Sequence, residues 1–384
     1  MVIVLLSMAS MATGESRPGS GTAPFILDGN RVYAELALVR PDGSLQRGLA
    51  FVDMGSPAMT LTARLFKELQ LDHGRQLSFR LGKLTVHVPA EEVESDPARP
   101  YSVGTTLKVE AILPAAVMRR YQVVIDYPKR QLTFASPGAI KPQGLPTDFR
   151  MHPKTGLIEV QAEIAGQQYA VTIDNGSAYT WFRQQTAQVW LRTNPNWERG
   201  VGAVGASNMM MADDRGEATG TLLRIPKMRL SGLSLRNVGA LAPGVTGGLD
   251  LFDWYSEKNA TPVIGWIGGN VLKSFRLTID YPNHTLFWLK FAEPDADDLN
   301  QVGLTLAARA GEFQVAGIAQ KNRKPVLEGV EVGDQLIEID GRQTKNATRG
   351  EIYNALHGKP GESRRLRLKR GSAIITVNAP VTGF

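Results

Sequence analysis

The chain has 384 residues, 43% of them hydrophobic and 21% charged, which suits two or three globular domains and argues against a disordered or fibrous protein. Its net charge of +6 is small for that length and no polybasic tail is present, so nothing points to nucleic acid. There is no cysteine, which excludes disulfides, thiol catalysis and cysteine metal sites. The five histidines are scattered without a His-Glu-x-x-His pattern, so neither a metal nor a cofactor is expected.

Residues 1–12 are apolar but too short to span a bilayer, and Ser10-Met11-Ala12 reads as a candidate cleavage site. A basic region ahead of the apolar run is missing, the first positive charge being Arg17, and a Gly/Ser/Pro-rich stretch runs on to Pro24. Residues 1–24 are expected to be a signal-like segment and spacer of an exported chain, periplasmic or secreted, with no integral membrane span. The alternative is a frayed N-terminus on a cytoplasmic protein.

Residues 25–140 read as a first unit. Residues 25–39 alternate and break at Pro41-Asp42-Gly43, which predicts a strand pair leading into Phe51-Val52-Asp53-Met54-Gly55-Ser56. A short helix with Thr62 as N-cap is expected over 63–69, strands over 78–118, and a hairpin from Tyr121 to Phe134 around Asp126-Tyr127-Pro128. Residues 141–155 carry Pro142, Pro146 and Pro153 with little periodicity and read as a linker.

Residues 156–292 then repeat the order. An alternating run over 157–164 is followed by Val171-Thr172-Ile173-Asp174-Asn175-Gly176-Ser177, a helix is expected over 181–191, and a second hairpin from Phe275 to Trp288 turns at Asp280-Tyr281-Pro282. The two hairpins align without gaps at an offset of 279 − 125 = 154, and the two acidic turns at 174 − 53 = 121, so the second copy carries 154 − 121 = 33 additional residues between turn and hairpin. A duplication of this length is stronger than any single motif. Asp126 and Asp280 read as turn formers rather than catalysts. After an acidic linker over 293–298, residues 301–384 form a third unit. It has strands near 303–308 and 313–319, the segment Val330-Glu331-Val332-Gly333-Asp334-Gln335-Leu336-Ile337-Glu338-Ile339-Asp340-Gly341, a helix starting near Thr348, and a basic alternating strand over 364–370 with a solvated face.

Each copy thus brings an apolar strand into Asp-x-Gly-Ser. This resembles the Asp-Thr/Ser-Gly turns of the pepsin-like and retropepsin-like aspartic peptidases, and Gly265-Trp266-Ile267-Gly268 looks like that family's hydrophobic-hydrophobic-Gly crossing behind the catalytic turn. The Val330 to Gly341 segment resembles a bacterial PDZ domain. The resemblance implies a mainly β protein, a two-lobed pepsin/retropepsin-like acid-protease β-barrel fold followed by a PDZ domain. It implies Asp53 and Asp174 as the catalytic pair, since two carboxylates held about 3 Å apart share one proton and can activate a water between them. Gly55 and Gly176 would bring N–H groups to the carboxylates, and Ser56 and Ser177 would donate to their outer oxygens. The family's bridging hydroxyl after each Asp is replaced by Met54 and by Asn175, of which only Asn175 can donate across the interface. The alignment also sets Pro114 opposite Gly268. A flap is implied, with Gly202 and Gly205 as its flexible candidates in the second copy. In the PDZ-like unit a peptide terminus would bind at Gly303 and add as a strand along Leu304, Thr305 and Leu306, with Ile352 and Leu356 supplying the side-chain pocket.

The expected activity is that of an aspartic endopeptidase acting on protein or peptide substrates, with the PDZ-like unit recruiting them. The alternative is a catalytically impaired peptidase-like chain serving as a peptide-binding protein. A serine hydrolase is disfavoured because no Gly-x-Ser-x-Gly is present and no His lies near Ser177. With both copies in one chain, a monomer can complete the site.

Overall fold

Alternating and β-branched runs become strands along most of the chain, which is mainly β. The computed structural model describes residues 19–96, 107–202, 214–244, 251–309 and 311–384, so the expectations placed on residues 1–18 and on Gly205 lie outside the described residues. Among the described residues the strands form sheets of thirteen, ten and six.

The two duplicated hairpins hold the halves together. Gln122–Asp126 pairs with Gln131–Ala135, and Phe275–Asp280 pairs with Thr285–Lys290, as the Asp-Tyr-Pro turns predict. The inner strands of the two hairpins then pair with each other, antiparallel, with Ile125 opposite Leu277, Val124 opposite Thr278 and Val123 opposite Ile279. Val124 and Thr278 differ by 278 − 124 = 154, the offset that aligns the hairpins, so each is the other's equivalent. The local two-fold axis of the duplication therefore passes between them. Val123, Val124, Ile125, Leu277 and Ile279 are all buried at this junction. Asp126 and Asp280 accept the backbone N–H groups of Lys129 and Asn283 and act as turn formers, as expected.

Both flanks of this central sheet depart from the sequence reading. Ser20–Asp28 is a strand whose first residues pair with Gln131–Ala135, so part of the expected spacer belongs to the fold. Residues 141–155 are not simply a linker, because Leu145–Asp148 pairs with Thr285–Lys290 at the opposite edge. Leu145–Asp148 is short and lies at the sheet's edge, where Pro146 is tolerated, while Ser20–Asp28 switches from Gln131–Ala135 to Arg31–Val39 just after Pro24. Trp181 likewise belongs to a strand, Thr180–Phe182, pinned between Leu233–Ala242 and Gly265–Ile267, and the helix begins later, over Gln184–Thr193.

Within each half the strand carrying the acid runs parallel to a crossing strand. Val52 pairs with Leu113 and Asp53 with Pro114, and Ile173 pairs with Ile267 at the equivalent register. The crossing continues alike in both halves, with Ala115 N–H donating to the Ser56 carbonyl at 3.2 Å and Gly269 N–H to that of Ser177 at 2.8 Å. Pro114 thus keeps the backbone path that Gly268 keeps, although a Cβ on Gly268 would lie 2.1 Å from the Tyr179 carbonyl oxygen.

Residues 301–384 build a sheet of Leu304–Arg309, Glu312–Ile318, Gln335–Ile339, Ser363–Arg370 and Ala373–Pro380, covered by the helix Arg349–Leu356. Thr348 and Glu351 close a reciprocal capping box at that helix's start. The strand Ser363–Arg370 alternates as expected, with Leu366 and Leu368 buried and Arg365 and Lys369 exposed, and its basic face also finds acids: Arg367 pairs with Glu338 at 2.9 Å and Arg370 with Asp334 at 2.7 Å. The acidic stretch 293–298 also differs from a plain linker. Asp298 is buried, its carboxylate accepting from Arg224 at 3.1 Å and from Asn270 at 2.8 Å, while Arg224 also donates to an oxygen of Phe384 at 2.9 Å. This seam ties the second half to the C-terminal unit. Asp298→Ala removes the nearer, buried carboxylate from Arg224, leaving Glu198 at 3.8 Å, and is expected to lower unfolding free energy by about 3 kcal/mol in urea titration; a loss near that of an exposed pair, about 0.5 kcal/mol, would show the seam is not held this way.

Candidate active site

The two acidic turns meet at the interface between the halves. Each turn's glycine faces the other turn's carboxyl group. A Cβ on Gly55 would lie 2.6 Å from Asp174 Cγ, and one on Gly176 would lie 2.2 Å from Asp53 Oδ1. Contacts this short exclude any side chain, so both positions require glycine for the approach itself. The two carboxyl groups are close enough to interact directly, and that interaction raises Asp53 while it lowers Asp174.

Backbone donors reach both acids as the turns predict. Gly55 N–H donates to Asp53 Oδ1 and Gly176 N–H to Asp174 Oδ1, each at 2.8 Å, and Ser177 N–H adds a second donor to Asp174 Oδ1 at 3.2 Å. The serine hydroxyls do not do what the resemblance implies. Ser56 Oγ donates to the Ala58 carbonyl at 3.3 Å and Ser177 Oγ to the Tyr179 carbonyl at 2.7 Å, the same two-residue step in both halves. Their hydroxyls shape the turns rather than the carboxylates, because a local carbonyl two residues on is the nearer acceptor.

Of the two residues that follow the acids, only Asn175 bridges the halves through its side chain. Its Oδ1 accepts Met54 N–H at 2.7 Å and its Nδ2 donates to the Val52 carbonyl at 2.9 Å. One amide thus makes both bonds that a pair of hydroxyls would divide, and Met54 participates through its backbone while its side chain sits in the first half's core. Arg31, buried beneath the second turn, donates from Nε to the Gly176 carbonyl at 3.0 Å, and Asn30 Nδ2 donates to the Ala178 carbonyl at 3.1 Å.

The outer oxygen of Asp174 is held by a residue the sequence reading did not single out. Tyr255, on the helix Leu251–Lys258, donates from its hydroxyl to Asp174 Oδ2 at 3.1 Å. A signal for it was present: the offset of 154 that aligns the hairpins also sets Tyr101-Ser102 against Tyr255-Ser256. Tyr101 lies outside the described residues.

Burial dominates the electrostatics. Asp53 is 4% exposed and Asp174 fully buried. Desolvation, and next the neighbouring Asp174 charge, push the Asp53 carboxyl well above the usual carboxylate range, against the Gly55 N–H and the Arg31 charge. Burial also raises Asp174, but the Tyr255 hydroxyl, the Gly176 and Ser177 N–H groups and the Asp53 bond oppose it. Burial and the two carboxylates raise Tyr255 far above the ordinary phenol value, so it stays a neutral donor. Among the described residues no group of three His, Asp or Glu side chains converges on a metal-sized site.

The other expected site residues are placed differently. Gly202 is not part of a free flap here: its N–H donates to the Gly220 carbonyl at 2.7 Å, and a Cβ on it would lie 3.2 Å from Ala319 Cα of the C-terminal unit. In that unit the expected peptide groove is shut. Leu304, Thr305 and Leu306 are buried, Ile352 and Leu356 are buried in the unit's own core, and the space beside Gly303 is taken by Val326, whose Cγ2 would lie 2.2 Å from an added Cβ. The short helix Asp214–Ala218 packs against the strands Leu304–Arg309 and Glu312–Ile318, with Ala218 against Gly317. The groove is closed from two sides, by Val326 of the unit itself and by the helix Asp214–Ala218 of the preceding half.

Asn175→Ala removes both bonds across the interface and leaves the Met54 N–H and Val52 carbonyl buried without partners. It is expected to lower stability by about 3 kcal/mol, measured by denaturant unfolding, and a loss under about 1 kcal/mol would mean that other contacts carry the bridge.

No family model matches the chain, and no curated protein matches it. Among solved structures it is similar to the crystal structure of the aspartic proteinase from Irpex lacteus, with a TM-score of 0.43 and 13% identity, over 72% of this chain and 99% of that one.

Proposed function

We propose that the chain is an aspartic endopeptidase in which a water positioned between Asp53 and Asp174 hydrolyses a peptide bond. The observation that carries this reading is the pair of buried carboxyl groups, each faced by the glycine of the opposite turn. In the proposed reaction the ionised carboxylate takes a proton from the water as its oxygen attacks the carbonyl carbon, and the protonated carboxyl gives its proton to the carbonyl oxygen. Collapse of the resulting gem-diol returns a hydroxyl proton to Asp53, now ionised, while the proton that Asp174 took from the water passes to the leaving amine. The direction of the Asp53 shift favours Asp53 as the proton carrier and Asp174 as the base.

We read residues 301–384 as a PDZ-like unit that recruits substrate or partner. Its five main strands, the edge strand Leu304–Arg309 and the capped helix Arg349–Leu356 support the reading. Peptide capture at Gly303 and Leu304 to Leu306 then requires the side chain of Val326 to move aside and the unit to part from the helix Asp214–Ala218. A second reading, a peptidase-like binding protein without catalysis, is favoured by the near-complete burial of the dyad. Export remains part of the first reading, carried by residues 1–24, and no helix among the described residues is long and apolar enough to cross a membrane.

Asp53→Asn separates the two readings. An asparagine can accept the Gly55 N–H and donate to Asp174, so the fold should persist while Asp-dependent cleavage of an unfolded protein vanishes. Unchanged cleavage would remove Asp53 from the chemistry, and absence of cleavage by the unsubstituted chain at every pH would favour the binding reading.

The same variant tests the electrostatics. A carboxyl whose folded value is raised binds its proton more tightly folded than unfolded, so its stability contribution is present below about pH 4 and is lost as pH rises through the folded value. Asp53→Asn should therefore melt higher than the unsubstituted chain at pH 7 and lose that advantage below about pH 4; equal melting at pH 7 would show that Asp53 is not raised.

A further inference from the structure

We propose that Tyr255 is a positioning residue for the dyad, whose hydroxyl holds the outer oxygen of Asp174 so that this carboxyl carries the negative charge and the shared proton stays on Asp53. The inference rests on the peptidase reading for its kinetic consequence, but its geometric content is independent of it.

Tyr255 fills a position left empty by its neighbours. The Ser177 hydroxyl, expected on the outer oxygen, is committed to the Tyr179 carbonyl at 2.7 Å. With the Gly176 and Ser177 N–H groups on Oδ1 and the Tyr255 hydroxyl on Oδ2, Asp174 accepts from donors on both oxygens. At the corresponding place in the first turn, Ser56 N–H binds the main-chain carbonyl of Asp53 rather than its carboxylate. Each donor to a carboxylate favours its charged form, so the second acid is the better place for the charge.

The hydroxyl is also held from behind. The Tyr255 ring lies 5.0 Å from that of Trp266 at 36° and meets Trp254 edge-on at 5.1 Å, in a buried cluster with Trp181 and Phe252. Asn259 Nδ2 caps the Tyr255 carbonyl at 2.7 Å, and Thr155 Oγ1 donates to the Lys258 carbonyl at 2.9 Å, fixing the helix end. On the dyad side Gly55 provides the room, since a Cβ there would lie 2.6 Å from the Tyr255 hydroxyl. A ring clamped on one side and accommodated on the other is built to hold an oxygen in place.

The test is Tyr255→Phe, which keeps the stacked ring and deletes only the donor. Two readouts are taken: the pH profile of kcat/KM, and the titration of the Asp174 carboxyl followed by carbon-13 NMR in aspartate-labelled protein. Loss of one donor to the ionised acid should move the acid limb of the profile, and the Asp174 titration, upward by about one pH unit, with melting temperature little changed. An unmoved limb and titration would overturn the proposal. Faster cleavage with both limbs in place would also overturn it, making Tyr255 an obstruction. If the unsubstituted chain cleaves nothing, the peptidase reading fails on that result alone, and the NMR titration still decides whether Tyr255 holds the Asp174 charge.

Discussion

The mutual approach of two buried carboxyl groups, each pressed against the other turn's glycine, is the constraint on which the rest of this structure depends. Neither half can build that arrangement alone, because Gly55 makes room for Asp174 and Gly176 for Asp53. Bringing two acids out of water and into contact is unfavourable, and it persists only where surrounding packing over-determines the positions. The central sheet does this. Pairing Val123 to Ile125 with Leu277 to Ile279 sets the halves about a local two-fold axis, and the crossing strands at Asp53–Pro114 and Ile173–Ile267 carry that symmetry to the acids.

Within this symmetric frame the chemistry-bearing groups are unequal. Asn175 makes both bonds of the bridge, while Met54 lends only its N–H and buries its thioether in the first half's core. Asp174 collects donors on both oxygens, while Asp53 is left with the larger upward push from burial and from its neighbour's charge. Such inequality localises the shared proton on one acid, whereas identical environments would leave it equally placed on either. The departures at Met54 and Asn175 therefore do not break the turn geometry; they shift the bridging work to one side.

The C-terminal unit is joined to this core more closely than a flexibly linked module would be. Asp298, Arg224 and Phe384 form a buried seam, Tyr353 stacks edge-on against Tyr179 at 5.7 Å, and both tyrosine hydroxyls donate to the Asp298 carbonyl. Tyr179 lies two residues past Ser177, whose hydroxyl binds its carbonyl. The helix that would line a peptide pocket is thus linked through a few side chains to the second acidic turn, and the face expected to receive a peptide is covered by the preceding half.

Much of the site was legible in the sequence because its turns are local. An apolar strand running into Asp-x-Gly-Ser states where an acid must sit and where the chain must bend, and two copies at matched offsets state that the acids belong together. The hairpins around Tyr127 and Tyr281 and the capping box at Thr348 were readable for the same reason, each being settled within a few residues. The tertiary structure alone decided what lies across the interface. Tyr255 reaches Asp174 over 81 residues and Arg31 reaches the second turn over 145, and no local period marks either. It also decided which carbonyl each serine prefers, that Pro146 sits in an edge strand, and that the acidic stretch ends in a buried ion pair. Sequence pattern encodes backbone geometry at short range, whereas the partner of a buried polar group is chosen by whichever distant element packs over it.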